Sequence, residues 1–409
     1  MKIKNNEIEA IRKYNTVQVL NTLRQTGQRL SRPIVADMLG LSKVTISNIL
    51  RDLSGLGLTT EAGVGVPDSR GGRKPQLVTL DHDNKRVIGA RADHDLIELI
   101  LSDITGREVR RLRATVHGRS RETLIKEMTE EVLLDTGTRR DAVLGLVAVI
   151  EDEDGLVRKC HYHGCPEDNT PQKYGGPDEN PPQSPLRNEL SRALRLPVWL
   201  IDPTRARAFA ECWFNHSQSR PANFFYLNLG YTLDGVATRH SLLDNSFCEI
   251  GSCYMSARPY GRREETLRTA NMVLSGETIL DKAAQTFGRP LTIDGLKRMA
   301  DEGEDGARRI FQEFGYDLGC TISLVVHMTA LKNVIVGGLL SPAWSHFKES
   351  MQEGLELHLP GEVKMKEVTV SPLRHDLGSG LMGALAMAMD RWVYHTEILY
   401  THSSQFGRV

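Results

Sequence analysis

Six consecutive residues, Cys160-His161-Tyr162-His163-Gly164-Cys165, offer four soft ligands to a transition metal. Their spacing matches neither a zinc finger nor a catalytic zinc site. In an extended chain Cys160 and Tyr162 face one side, and His161 and His163 face the other. A polar stretch rich in Pro, Asp and Asn follows at 167–183. The expectation is an ordinary loop edge that holds no metal. A different chemistry is written near the N-terminus. Lys43, Thr45, Ser47, Asn48 and Arg51 are the polar positions of one amphipathic segment. Thr45, Ser47 and Asn48 have the donors and acceptors to read base edges, while Lys43 and Arg51 suit phosphates. Further on, Arg70, Arg73 and Lys74 surround the pair Gly71-Gly72. Paired glycines let a backbone approach DNA closely, and the cations suit a narrow minor groove.

The elements around these residues are legible. Val17, Val19, Leu20 and Leu23 predict a helix that Gly27 ends. Ser31 caps a second helix, with Pro33 in its first turn and Ile34, Val35, Met38 and Leu39 facing inward. Gly40 and Leu41 make a tight turn. Ser42 then caps a third helix carrying Val44, Ile46, Ile49, Leu50 and Leu53. Two short helices joined by a glycine turn form a helix-turn-helix, whose second helix enters the major groove. Extended runs at 58–61 and 77–80 flank the glycine-rich tip and predict a wing. Residues 1–82 are therefore expected to form a winged helix-turn-helix that binds a double-stranded DNA operator.

Charge agrees with that division. The 409 residues carry a net charge of −1, which taken alone argues against a nucleic-acid partner. Through residue 80, however, twelve basic side chains face six acidic ones. That segment is +6 and the remaining 329 residues are −7. Six cysteines in so long a chain point to a reducing cytoplasm rather than a disulfide scaffold. No apolar run reaches the ~18 residues of a membrane span, and the first residues lack a signal-peptide core. No membrane partner is expected.

The remainder reads as strands alternating with helices, an α/β pattern. Strands are expected at 85–90, 96–101, near Glu108, and at 142–150, 198–201, 224–229 and 334–336. Helices are expected at 122–134 and 186–194. The segment from Ile11-Arg12-Lys13-Tyr14-Asn15 through Gly71-Gly72-Arg73-Lys74-Pro75 resembles the DNA-binding half of the ROK family (repressors, open reading frames and sugar kinases), and the rest matches in outline. The resemblance implies a two-lobed actin-like ATPase fold, sugar kinase-like, over residues 83–409. Its lobe boundary would lie near 200–204, and a C-terminal helix would return to the first lobe. It also implies a bacterial, cytoplasmic repressor of carbohydrate-related genes, working as a homodimer or homotetramer.

Measured against the family's kinases, the chemistry is degraded. Their DIGGTK phosphate turn corresponds to Arg91-Ala92-Asp93-His94-Asp95-Leu96, without glycines. A second phosphate segment, GTGIGAG, corresponds to Gly230-Tyr231-Thr232-Leu233-Asp234-Gly235-Val236. The Gly337-Gly338 turn survives, but a strand-GG turn is weak evidence for nucleotide. Ungapped alignment on the family's NDAN places Asp202 on the Asn and Pro203 on the catalytic Asp; a one-residue gap would make Asp202 the base. The ungapped version is preferred, because the following helix then aligns without strain. The zinc pattern has Ser252 in place of its His, and Tyr260 and Glu265 at two cysteine positions. Glu249 is retained among sugar contacts, while Leu267 falls on a second Glu that Glu264 or Glu265 could replace after a shift. The expectation is a non-catalytic body with no zinc or ATP, whose effector pocket for a sugar or sugar derivative would use Asp202, Glu249 and Ser252. The alternatives are a sugar kinase with an appended DNA-binding domain and a DNA-bound scaffold without a ligand.

Overall fold

The computed structural model describes residues 2–65, 74–93, 95–150, 185–214, 223–239, 242–248, 250–253, 269–359, 361, 363–373 and 380–394. The first helix, α1 (Lys2–Thr26), buries Val19, Leu20 and Leu23 and ends at Gly27. Gly27 takes φ 58° and donates its N–H to Leu23 O, a left-handed cap that a Cβ would strain. A two-residue strand, β1 (Leu30–Ser31), leads into α2 (Arg32–Leu39). Ser31 Oγ accepts the Ile34 N–H, and Pro33 sits in the first turn, where its missing N–H has no helical partner to lose. Gly40, at φ 63°, closes α2. Ser42 Oγ then accepts the Thr45 N–H at 3.0 Å to open α3 (Lys43–Gly55). Strands β2 (Thr59–Val64) and β3 (Gln76–Leu80) pair antiparallel, and β1 adds to the free edge of β3.

Three apolar residues of α2 and α3 face solvent, Val44 from the side of α3 opposite its buried stripe. Ile34, Met38 and Val44 are 48%, 55% and 70% exposed. In α2 the buried residues are Val35 and Ala36. A helix of about two turns buries one stripe, and Ile34 and Met38 sit about 100° around the axis from Val35 and Leu39.

The body contains two sheets of the same design. In the first, β4 (Arg86–Ala92), β5 (Leu96–Asp103) and β6 (Glu108–Thr115) form an antiparallel meander. After α4 (Arg121–Thr136), β7 (Val143–Ile150) runs parallel to β4. After α5 (Pro185–Leu194), β8 (Val198–Ile201) runs parallel to β7. The order is β6-β5-β4-β7-β8. Ile88, Leu99, Ile125, Val132, Leu146 and Leu190 form its core. In the second sheet, α6 (Pro203–Phe214) precedes an antiparallel meander of β9 (Phe224–Leu229), β10 (Leu233–Arg239) and β11 (Leu242–Cys248). Among the described residues there follow α7 (Asn271–Leu274), α8 (Gly276–Phe287), α9 (Ile293–Asp301) and α10 (Asp305–Thr329). Then come β12 (Asn333–Gly337), α11 (Trp344–His358) and β13 (Thr369–Pro372), with β12 parallel to both β9 and β13. The order β11-β10-β9-β12-β13 repeats the first sheet strand for strand. The chain closes with α12 (Leu381–Met389) and a π-helical turn, Asp390–Tyr394.

Two compact units divide at Asp202/Pro203, and the chain re-enters the first unit at Ala384. The N-terminal module is part of that first unit rather than a separate body. Glycines seat the returning segment. A Cβ on Gly89 of β4 would lie 2.8 Å from Leu385 N, and one on Gly145 of β7 would lie 2.5 Å from the Trp392 ring. Among the described residues no single helix is long and apolar enough to cross a membrane.

Candidate nucleic-acid interface and remnant phosphate turns

α3 is held from beneath and from its start. Ile46, Ile49, Leu50 and Leu53 are buried, which turns Lys43, Asn48 and Arg51 outward. Thr45 and Ser47 are half-buried. Thr45 Oγ1 lies 2.8 Å from Ser42 Oγ, so this hydroxyl belongs to the cap as much as to the outer face. Arg51 Nη2 donates to Asn48 Oδ1 at 2.6 Å, pairing a residue expected to read bases with one expected to hold phosphate. Arg12 Nη2 reaches Asp52 at 2.5 Å and ties α1 to α3. At the wing, Gly65 N–H donates to Pro75 O at 2.8 Å, and Lys74 is exposed beside that closure. Arg70 and Arg73 lie outside the described residues.

The module joins the first lobe at two places. Along the chain, the Asp81 carboxylate accepts the N–H groups of Asp83 and Asn84 and the Asn84 amide. His82 Nδ1 lies 3.0 Å from the buried Asp103 carboxylate, which also accepts N–H groups of Thr105 and Arg107. Across the fold, the Arg24 guanidinium stacks over the Tyr394 ring at 5.3 Å. The buried Tyr394 hydroxyl donates to Ile104 O at 3.1 Å. Burial lowers the Arg24 pKa, against the opposing pull of Tyr394 and Asp390, and burial pushes the Tyr394 phenol well up. No sequence motif marks either Arg24 or Tyr394. A buried aromatic meeting a long cation from a remote helix has no local sequence signal.

The phosphate-turn positions are satisfied from within. Between β4 and β5, Asp93 Oδ1 accepts the N–H groups of Asp95 and Leu96 at 3.0 and 2.7 Å. Asp93 Oδ2 accepts from Arg91 at 2.8 Å. Arg91 also reaches Glu98, its cross-strand neighbour, and Glu98 accepts from Arg113 Nε at 2.7 Å. A side-chain carboxylate therefore occupies backbone donors of the kind that cradle phosphate, beside an arginine-glutamate network. In the second unit, Gly230 is the turn between β9 and β10, and its carbonyl accepts the Gly276 N–H at 2.9 Å. Ser275 Oγ accepts the Thr278 N–H at 3.1 Å. The Gly276 and Thr278 N–H groups in the first turn of α8 are thereby engaged. Asp234 is buried and accepts from Thr232 Oγ1. Gly338, at φ 95°, has Asn228 Oδ1 2.7 Å from where a Cβ would stand.

The remaining candidates are dispersed. Asp202, at the end of β8, is buried, and Pro203 opens α6. Ser252 lies in the 3-10 turn Ile250–Ser252 of the second unit and is exposed. Glu249, Tyr260, Glu264, Glu265, Leu267 and the cluster Cys160, His161, His163 and Cys165 lie outside the described residues. Among the described residues no group of three or more His, Cys, Asp or Glu side chains could hold a metal ion.

Comparison with known proteins places this geometry. The chain is 26% identical to the xylose repressor of Caldicellulosiruptor bescii over 231 residues, 54% of this chain and 53% of that protein, so the match spans about half the relative's length. Its fold superposes with a TM-score of 0.71 on the crystal structure of a ROK family transcriptional regulator, a homologue of the Escherichia coli Mlc protein. That superposition covers 95% of this chain and 98% of the other at 19% identity. A ROK hexokinase from Thermus thermophilus superposes with a TM-score of 0.54 at 17% identity, over 78% of this chain and 99% of the enzyme. The likeness to the regulator extends over nearly the whole chain, whereas the enzyme lacks a counterpart for about a fifth of it. Residues 270–391 match the ROK family model, and the chain shares the kinase-like fold of the ROK regulator on which it superposes.

Proposed function

We propose that this protein is a DNA-binding transcriptional repressor of carbohydrate-related genes, in which the kinase-like lobes sense a sugar-like effector and dimerise instead of transferring phosphate. The observation that carries this reading is the capped, core-anchored α3, with Lys43, Asn48 and Arg51 turned outward. The +6 charge of the first 80 residues supports a phosphate-bearing partner. Likeness to a xylose repressor supports the carbohydrate class. Closure of the β4–β5 turn by Asp93, and of the Gly230 turn by α8, supports a body without phosphoryl transfer. Proline at 203 supports it further, because proline cannot take a proton from a sugar hydroxyl. Asp202, Glu249 and Ser252 remain the proposed effector contacts, with no zinc or ATP required. A bound effector acts only through a difference in affinity between the DNA-competent and DNA-incompetent states.

Anisotropy titration of the full-length protein against selected duplexes tests the reading. Arg70→Ala and Arg73→Ala should each weaken binding and lower the slope of log affinity against log salt by about 1. Unchanged affinity in both overturns the wing assignment. Thermal-shift screening over sugars and sugar phosphates should raise the melting temperature for at least one, since a ligand that binds only the folded state stabilises it. The hexokinase likeness keeps a kinase reading in play. ADP release with any sugar, abolished by Asp202→Ala, would establish it.

A further inference from the structure

One exposed side chain on α3 is used neither by the core nor by the polar contacts described above. Val44 lies one helical turn before Asn48 and two before Arg51, so the three share one outward stripe. At 70% exposure it is, among the described residues, the most solvent-facing large apolar side chain of the N-terminal module. Its neighbours are committed: Thr45 to the Ser42 cap, and Asn48 to Arg51. A β-branched side chain in open solvent adds little to a helix, since it restricts χ1 and buries nothing. Exposed Lys43 and Arg51 flank it, within a segment of net charge +6. The surface around Val44 therefore suits a polyanion with an apolar feature at the depth of a base edge. In the major groove that feature is the C5-methyl of thymine, which cytosine lacks. The N-terminal residues of such a helix are those that reach base edges.

We propose that Val44 is a specificity-determining residue whose methyl groups pack on the C5-methyl of one thymine in each operator half-site. The proposal rests on the DNA-binding reading and adds a base contact to it. Val44 discriminates by desolvating a methyl pair, whereas Asn48 and Arg51 use hydrogen bonds and charge.

The test selects binding sites from a random duplex library with the full-length protein, then replaces each thymine singly with deoxyuridine, which removes only the methyl. One replacement per half-site should weaken binding about four-fold, the worth of one buried methyl. Val44→Ala should weaken binding to the selected site about five- to ten-fold and leave a scrambled duplex unaffected. At the sensitive position, Val44→Ala should show no further loss on uracil, closing a double-mutant cycle. Val44→Thr, which keeps one methyl, should fall between. Matching melting curves for parent and variants separate contact loss from misfolding. Losses that add independently at every uracil overturn the proposal, as does equal weakening on scrambled DNA. Unchanged DNA binding with an altered sedimentation coefficient assigns Val44 to a contact between copies and also overturns it. Enrichment of a site without coupling to Val44 sinks this inference alone; failure to enrich any sequence sinks the DNA-binding reading with it.

Discussion

A carboxylate inside a sheet needs partners, and Glu98 has two. It is 5% exposed, with Arg91 on one side and Arg113 on the other. Arg113 is largely solvated, so Arg91 is the partner that compensates the buried charge. Arg91→Ala should lower unfolding free energy by about 2–3 kcal/mol in urea titration, and Arg113→Ala by less. An equal effect of the two would mean that solvent reaches Glu98. Asp317 shows the opposite situation. Burial raises its pKa, with Glu313 adding to the rise and Lys282 opposing it. A carboxyl with a raised folded pKa binds its proton more tightly when folded. Its stabilising contribution is present at low pH and is lost as pH rises through the raised folded pKa. Asp317→Asn should therefore melt higher than the parent near neutral pH and lose that advantage in acid, read by calorimetry across the range.

At the scale of elements, α10 and α11 approach more closely than side chains ordinarily allow. A Cβ on Gly319 would stand 2.1 Å from Met351 O, and one on Gly354 would stand 2.2 Å from Tyr316 O. Only glycine permits this backbone-to-backbone crossing. Gly319→Ala should cost about 3 kcal/mol, because the obstacle is main chain and cannot rotate away. Chemical denaturation measures it, and a loss under about 1 kcal/mol would show that the helices can separate freely. The caps of the N-terminal module matter in another way. Ser42→Ala removes the acceptor for the Thr45 N–H and loosens the Thr45 hydroxyl, at about 1 kcal/mol. Since α3 begins there, operator affinity should fall along with stability, and anisotropy titration of the variant checks this.

At the scale of the whole molecule, the N-terminal module and the first lobe form one compact unit, and Arg24 on Tyr394 is one of its joints. Arg24→Met keeps the buried stem and removes the charge that faces Tyr394 and Asp390. It should lower stability by about 1–2 kcal/mol. Hydrogen exchange should rise in α1 before it rises in β4–β8, because the joint is weakened and the lobe core is not. Tyr394→Phe leaves the Ile104 carbonyl without its donor, and about 1 kcal/mol should be lost. Uniform protection in the Arg24→Met protein would show that the linker at Asp81 and His82 alone couples the two parts.

How much of this was legible depends on distance along the chain. The helix order, the Ser31 and Ser42 caps, the glycine turns, the apolar strands and the split of charge are local patterns, and each survives in the structure. Periods of 3.6 and 2 report which elements form, since neighbouring residues fix them. They report less well which face is covered: Ile34 and Met38 follow the helical pattern of α2 yet remain in solvent, because that helix buries one narrow stripe, and Val44 lies opposite the buried stripe of α3. The loss of glycines from the β4–β5 turn was visible; the engagement of its N–H groups by Asp93 was not, because a carboxylate's partner depends on where the turn folds it. The sequence by itself determined the kinds of elements, their order and the basic module. Only the tertiary structure decided that Gly89 and Gly145 seat the returning C-terminal segment, and that Tyr394 bonds a carbonyl 290 residues earlier. Such contacts arise from the packing of distant segments, where the requirement that buried polar groups be satisfied selects partners that no local pattern encodes.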